Sequence, residues 1–508
     1  MRRTAKVVLF VLLVATAGAA SSALTQPAAA QAVPNPGDVG ADFDNDGFAD
    51  LAVGVPGESV GSEFTVGAVN VLYGTGSGLR GTGAQAFFQV GGVVEDGDQF
   101  GSALAAGDFN HDGFADLAVG APFEDVGGAS NAGAVSVLYG SAAGLTTSGG
   151  RLFTQVAGAV EEFDQFGSAL AAGDFNNDGF ADLAAGAPGE SVGGAFQAGA
   201  VSVLYGSPAG LRTSGARLFT QVAGVIEGGD QFGAALAAGD FNNNGFADLA
   251  ASAPFEAVGS AQGAGAVSAV YGSAAGLTTS GGRLFTQVAG VVEAGDRFGW
   301  ALAAGDFNNN GFADLAAGAP FEAVGSAGAA GAFSVVQGSA AGLTTSGGRL
   351  FTQVAGVVEA DDLFGWALAA GDFNHDGFAD LGAGAPREDV GSLGEAGAVS
   401  VAYGSGGGLT SSGGRLFTQV AGNVEADDQF GAQLAAGDFN HNGFTDLAAA
   451  APEETVGTLP AAGAVSVLYG SGGGLTTTGG QLFTQNSAGV PGTAERGDRF
   501  GGFAFPLP

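Results

Sequence analysis

Apolar and polar positions along this chain follow one pattern that returns every 66 residues. In residues 98–163, DQFGSALAAGDFNHDGFADLAVGAPFEDVGGASNAGAVSVLYGSAAGLTTSGGRLFTQVAGAVEEF, four short stretches are rich in small, β-branched or aromatic residues. They are FGSALAAGDF, ADLAVGAP, GAVSVLYG and RLFTQVAG, separated by Gly, Asn, Asp, Ser and Thr turns. No stretch keeps a helical period with caps. The pattern predicts four antiparallel strands per unit. A single sheet of this size cannot bury both faces, so neighbouring units must stack on it as propeller blades do.

Side-chain size predicts the radial order. The small residues of FGSALAAGD suit an innermost strand, where strands crowd towards an axis, and Phe153 with LFTQV suits the outside. A linear β-solenoid is the competing reading, but its coils are usually shorter. The two ends of the chain favour a ring. VPNPGDVGADFDNDGFADLAVGVPG has a polar loop and second strand without the FG strand before them, and DRFGGFAFPLP has an FG strand without its loop. Pairing the segment from Asp498 beside ADLAVGVP completes one blade. The expected fold is all-β: a seven-bladed β-propeller of four-stranded antiparallel blades, closed by pairing of N- and C-terminal segments.

Composition adds a compartment and a charge. Arg2, Arg3 and Lys6 precede the apolar run VVLFVLLVATAGAA, and Ala30-Gln31-Ala32 offers a small-residue cleavage site. Residues 1–32 are read as a secretory signal peptide and 33–508 as a single propeller domain, monomeric and without a membrane span. Its expected location is secreted, extracellular or cell-surface associated. No cysteine occurs, so disulfides do not hold the fold. Residues 33–508 set eleven Arg and no Lys against all 50 acidic residues, a net charge of −39. That field excludes nucleic acid and anionic membranes and leaves cations, cationic surfaces and neutral glycans. With 46% apolar residues and 39 Phe, the acidity does not indicate disorder.

The polar loops carry the candidate chemistry. Each places side-chain oxygens at positions one, three and five, Gly at six and an acid at nine. Loop 42–50 has Asp42, Asp44, Asp46, Phe48 and Asp50; loop 108–116 has Asp108, Asn110, Asp112, Phe114 and Asp116; loop 174–182 has Asp174, Asn176, Asp178, Phe180 and Asp182. Loop 240–248 has Asp240, Asn242, Asn244, Phe246 and Asp248; loop 306–314 has Asp306, Asn308, Asn310, Phe312 and Asp314. Loop 372–380 has Asp372, Asn374, Asp376, Phe378 and Asp380; loop 438–446 has Asp438, Asn440, Asn442, Phe444 and Asp446. Calcium takes six to eight oxygen ligands, which such spacing supplies from alternating side chains and the Phe carbonyl, with Gly113 and its equivalents making the reversal. Up to seven calcium ions are expected. A metal-free Asx hairpin explains the turn, but it does not require an acid at position nine. His111, His375 and His441 fill the fourth position, where they should face solvent; no cluster suited to zinc accompanies them.

Phe100-Gly101, the loop from Asp108 and Gly120-Ala121-Pro122 stand in the order of the FG-GAP repeat, and the chain resembles the propellers of integrin alpha subunits over nearly all of residues 33–508. The resemblance implies seven blades, calcium in hairpin loops on one face and ligand contacts on the other. Unlike integrins, the protein is expected to lack leg domains, a membrane span and an inserted adhesion domain, and its sequence carries the loop in every blade. No nucleophile with its base, phosphate-cradling loop or transition-metal cluster stands apart from the repeat, so the chain is read as no enzyme. The expected function is a calcium-binding module for an extracellular protein, in adhesion or another contact; the alternatives are a glycan-binding lectin and a calcium-dependent hydrolase.

Two further sets belong to the presumed opposite face. Glu58, Glu124, Glu190, Glu256, Glu322, Glu388 and Glu454 follow the GAP-like strands, and Asp98, Asp164, Asp230, Asp296, Asp362, Asp428 and Asp498 precede FG. Bonding to loop backbone is the reading favoured over ligand contact. Trp300 and Trp366 break the symmetry after FG in adjacent repeats, either as a stacking platform for a ligand or, more commonly for such residues, as wedges between blades.

Overall fold

The structure, a computed structural model, describes Val14–Ala15 and residues 41–502 apart from 157, 223 and 289. The expected cleavage site after Ala32 and the last six residues of the closing segment lie outside the described residues.

Six sheets have four antiparallel strands in chain order, as in Ala103–Gly107, Asp116–Ala121, Ala134–Tyr139 and Thr146–Phe153. Val14–Ala15 runs parallel to Leu104–Ala105 beside the first of these. The seventh sheet has Leu51–Val55, Ala68–Tyr73 and Arg80–Phe87. Its fourth member comes from the far end of the chain. Gly501 N–H donates to the Gly54 carbonyl at 2.9 Å and Gly57 N–H to the Asp498 carbonyl at 3.1 Å. Gly101 to Gly120 and Gly189 to Asp164 make the same bonds inside ordinary blades, at 3.0 and 3.1 Å. The protein is therefore a seven-bladed β-propeller closed by both ends of the chain.

The FG pair locks one blade to the next. Phe100 is fully buried, and its N–H donates to the carbonyl of Val66 in the preceding blade at 2.8 Å. Gly101 has φ +95°, and a Cβ there would lie 2.5 Å from the Ala68 carbonyl oxygen. Only glycine combines that backbone angle with so close an approach.

Side-chain volume does not rise steadily with radius. The innermost strands are small, as expected: a Cβ on Gly107 would lie 2.9 Å from Cβ of Ala181 in the next blade. Bulk peaks in the third strand, AVSVLY, which is wholly buried. The outermost strand is TTSGGRLF rather than RLFTQVAG, and only its terminal Phe153 is buried. One of its faces meets solvent, which favours Thr, Ser and Gly there, while TQVAG leaves the sheet to join the next blade. The innermost strand is likewise shorter than FGSALAAGDF, because Phe100-Gly101 forms the inter-blade hook and Asp108 already belongs to the loop.

Candidate metal centre

In six blades the nine-residue loop joins an innermost to a second strand, and loop 42–50 leads into the second strand of the shared blade and bonds to the loops on either side, so all seven lie at one end of the ring. Its first Asp folds the turn: Asp42 accepts Asp46 N–H at 3.0 Å and Gly47 N–H at 2.8 Å. The backbone reverses through positive φ at positions four and six, 58° at His111 and 91° at Gly113, as expected for that glycine. The ninth residue is almost fully inaccessible. Asp50 accepts Phe43 N–H at 2.8 Å and Gly74 N–H at 2.9 Å, and Asp116 accepts Phe109 and Gly140, both at 2.9 Å. The acid at position nine thus pins the loop to the end of the third strand, a role in the fold that sequence spacing does not disclose.

Burial sets the electrostatics. Desolvation pushes the carboxyls of Asp50, Asp116, Asp182, Asp248, Asp380 and Asp446 up to about 8, and that of Asp314 to about 7, against the hydrogen bonds that lower them. Asp42 and Asp44 are also raised, by burial first; neighbouring carboxylates add to this. A cation would remove the penalty by neutralising the cluster.

The loops differ at position three. In the first, carboxylate oxygens of Asp42, Asp44 and Asp50 lie within 4.8 Å of one another, and Asp44 Oδ1 is buried without a hydrogen-bond partner. In the third, fourth, fifth and seventh, the Asn amide donates to the ninth carboxylate: Asn176 at 3.3 Å, Asn242 at 2.9 Å, Asn308 at 2.8 Å and Asn440 at 3.1 Å. In the second and sixth, Asn110 and Asn374 Oδ1 instead accept the N–H of Asp112 and Asp376, at 2.8 and 2.9 Å. The loops also hold one another. Ala115 N–H donates to the Asp42 carbonyl at 3.0 Å, the bond recurs between successive loops, and Ala49 to Asp438 closes the circle at 3.1 Å. His111, His375 and His441 are exposed, and each lies edge-on to the Phe of the following loop: Phe180, Phe444 and Phe48, with centroids 5.6, 5.6 and 5.7 Å apart.

The repeat architecture also decides relationship. FG-GAP repeats match residues 37–73, 100–138, 166–204, 232–270, 298–336, 364–401 and 430–468, more than half of the chain. The chain belongs to the FG-GAP repeat family. It is 38% identical over 171 residues to the phosphatidylinositol-glycan-specific phospholipase D of Rattus norvegicus, covering 33% of this chain and 20% of that protein. It is 33% identical over 207 residues to integrin alpha-5 of Xenopus laevis, covering 39% of this chain and 19% of that protein. The chain thus spans about a fifth of the length of these relatives. A rhamnogalacturonan lyase structure from Bacillus licheniformis aligns over 78% of this chain and 68% of its own at 10% identity, with a TM-score of 0.36, too low to bear on function.

At the other end of the FG-GAP ring the repeated acids are tied into the fold. Asp98 accepts Glu95 N–H at 2.8 Å and Asp164 accepts Glu161 N–H at 2.6 Å, as expected of backbone-bonding carboxylates. The glutamates instead meet a side chain from the preceding blade: Gln155 donates to Glu190 at 2.9 Å, Gln419 to Glu454 at 3.0 Å and Gln485 to Glu58 at 2.5 Å. Burial, offset in part by these amides, pushes Glu124, Glu256, Glu322, Glu388 and Glu454 up to about 7 from the ordinary 4.5. A raised carboxyl stabilises the fold below its unfolded value and loses that contribution as pH rises through the folded one. In chelator, the melting temperature should therefore fall between pH 5 and 8, with the ninth-position acids acting in the same direction. A rising melting temperature across that window would contradict the burial of these groups.

Trp300 and Trp366 are 1% and 4% exposed, with ring centroids 4.7 Å apart and Phe321 against both. They present no open stacking face. Arg297 lies over Phe321 at 4.3 Å and over Trp300 at 5.5 Å. Replacing both Trp by Ser should lower stability by about 3 kcal/mol or more per site, as for other large-to-small core changes. An unchanged melting curve with a lost binding activity would restore the platform reading.

Proposed function

We propose that this FG-GAP propeller is an extracellular calcium-loaded module that binds another protein. The observation that carries the metal assignment is the first loop, where three carboxylates converge and a buried Asp44 oxygen lacks a partner. Carboxylates, an amide or carboxylate oxygen at position three and a nearby carbonyl are the donor set that calcium takes. Asp42, Asp44, Asp46, Asp50 and the Phe48 carbonyl would hold the ion there, and their equivalents would do so in the other loops. Bound calcium would neutralise the buried acids and fix the hairpins. In the third, fourth, fifth and seventh loops, the Asn amide must turn its oxygen inward, giving up its bond to the ninth carboxylate.

A binding role is supported over a catalytic one by what the relatives share. This repeat-built chain matches both a phospholipase D and an integrin alpha subunit, only one of which is named for a catalytic activity, so the matched stretch need not be the part that carries catalysis. Equilibrium dialysis tests the metal assignment: no retained calcium would end it. Release of phosphatidylinositol-glycan-anchored protein from vesicles by the purified chain would overturn the non-catalytic reading.

A further inference from the structure

The fold sorts charge between its two ends. Of the 50 acidic residues, 19 lie in the nine-residue loops. Another 30 lie in the segments that join second to third strands or outermost strands to the next blade, all at the opposite end. Those segments contain four Arg against 30 acids, a net charge of −26. Arg387 and Arg499 are ion-paired there with Glu395 and Glu453, at 3.6 and 3.0 Å.

Apolar exposure is sorted in the same way. All nine exposed large hydrophobic residues among the described residues lie at this acidic end. Phe64 and Phe196 are 68% and 62% exposed, and Val93, Val225, Val291 and Val357 are similarly open. The two Phe sit directly against acidic segments. Phe64 N–H donates to Asp96 Oδ1 at 2.5 Å and its carbonyl accepts Gly97 N–H at 3.0 Å, while the Phe196 carbonyl accepts Gly229 N–H at 2.9 Å, in the segment that carries Glu227 and Asp230. Solvated acid alone needs no such neighbours, and apolar side chains exposed at this end of the ring rather than at both fit a contact surface there.

We infer that the acidic end docks a basic polypeptide segment in which apolar side chains alternate with Arg or Lys. The inference rests on the protein-binding reading and specifies the partner's chemistry. Arg and Lys supply charge and N–H donors that the exposed acidic segments accept, and the apolar residues cover Phe64, Phe196 and the exposed valines. Opposite charge steers the encounter, while the apolar contacts set the dissociation rate.

The test uses the full chain in calcium and two fluorescent peptides, one alternating Arg with Leu and one alternating Glu with Leu, read by anisotropy. The Arg peptide should bind and the Glu peptide should not. Affinity for the Arg peptide should fall about tenfold or more in Phe64→Ser/Phe196→Ser, the scale of lost interface anchors. It should also fall in Glu227→Gln/Glu293→Gln/Glu359→Gln and on raising salt, which shortens the screening length from about 10 Å at 0.1 M to about 3 Å at 1 M. Melting curves and calcium uptake confirm that the variants fold. Absence of Arg-peptide binding overturns the inference, as does binding indifferent to the Phe substitutions, since it would be plain polyelectrolyte attraction. Equal binding of the Glu peptide overturns the basic partner but leaves a protein-binding module. Retention on a glycan array with no peptide binding ends both.

Discussion

Adding calcium to the chelator-treated protein should raise its melting temperature by ~8–19 °C. A ligand that binds only the folded state at a hundredfold excess over its Kd adds about 2.7 kcal/mol per site. Unfolding entropy is about 2.1 cal/mol/K per residue, so filling three to seven sites gives a shift of that size in a chain this long. Occupancy should not be uniform. Four carboxylates and an unpartnered Asp44 oxygen should make the first loop the tightest. Carboxylate number alone groups the third loop with the second and sixth. The bond from Asn176 to Asp182 instead places it with the fourth, fifth and seventh, which must break the same bond to accept the ion. Scanning calorimetry with a calcium titration checks both statements. No shift refutes the metal; seven equivalent sites refute only the order.

Deleting residues 498–508 should leave the protein insoluble or severely destabilised. The deletion removes the Gly501 and Asp498 bonds to the first sheet, the ion pair of Arg499 with Glu453 and the fully buried Phe500. It also exposes the edge of Leu51–Val55 for pairing with other chains. Phe500→Ala is the gentler version and should cost about 3–5 kcal/mol, as other buried Phe truncations do. A truncated chain that stays monomeric with an unchanged melting temperature would contradict closure through this blade.

The ring and its loops were legible in the sequence because both rest on spacing. The 66-residue interval, the FG pair and the complementary end segments each have a local signature. Positions set by the third dimension were not legible. The ninth-position Asp looked explicable only through a metal, because Gly74, which Asp50 binds, stands 24 residues further on. Gln155 carries no hint that its partner is Glu190 in the next blade. The orientation of the Asn176 amide follows from packing and hydrogen bonding, which a count of acids does not register. The outermost strand was shifted because RLF reads as more strand-like than TTSGG, whereas pairing of Tyr139 with Thr146 draws the Thr-Ser-Gly stretch into the sheet.

The shared blade also governs how the protein folds and how long it lasts. Gln485 meets Glu58 across 427 positions, so the final pairing must close a loop of nearly the whole chain. Closure entropy grows only logarithmically, so this link costs about 1.6 kcal/mol more than one spanning a single repeat. The time to find it is another matter, since contacts so distant in sequence slow the search for the native state. Six blades can assemble locally before the seventh has all its strands, and the late step becomes a barrier in both directions. A closed ring that opens rarely has a long native lifetime, which protects it from proteases even where its equilibrium stability is modest.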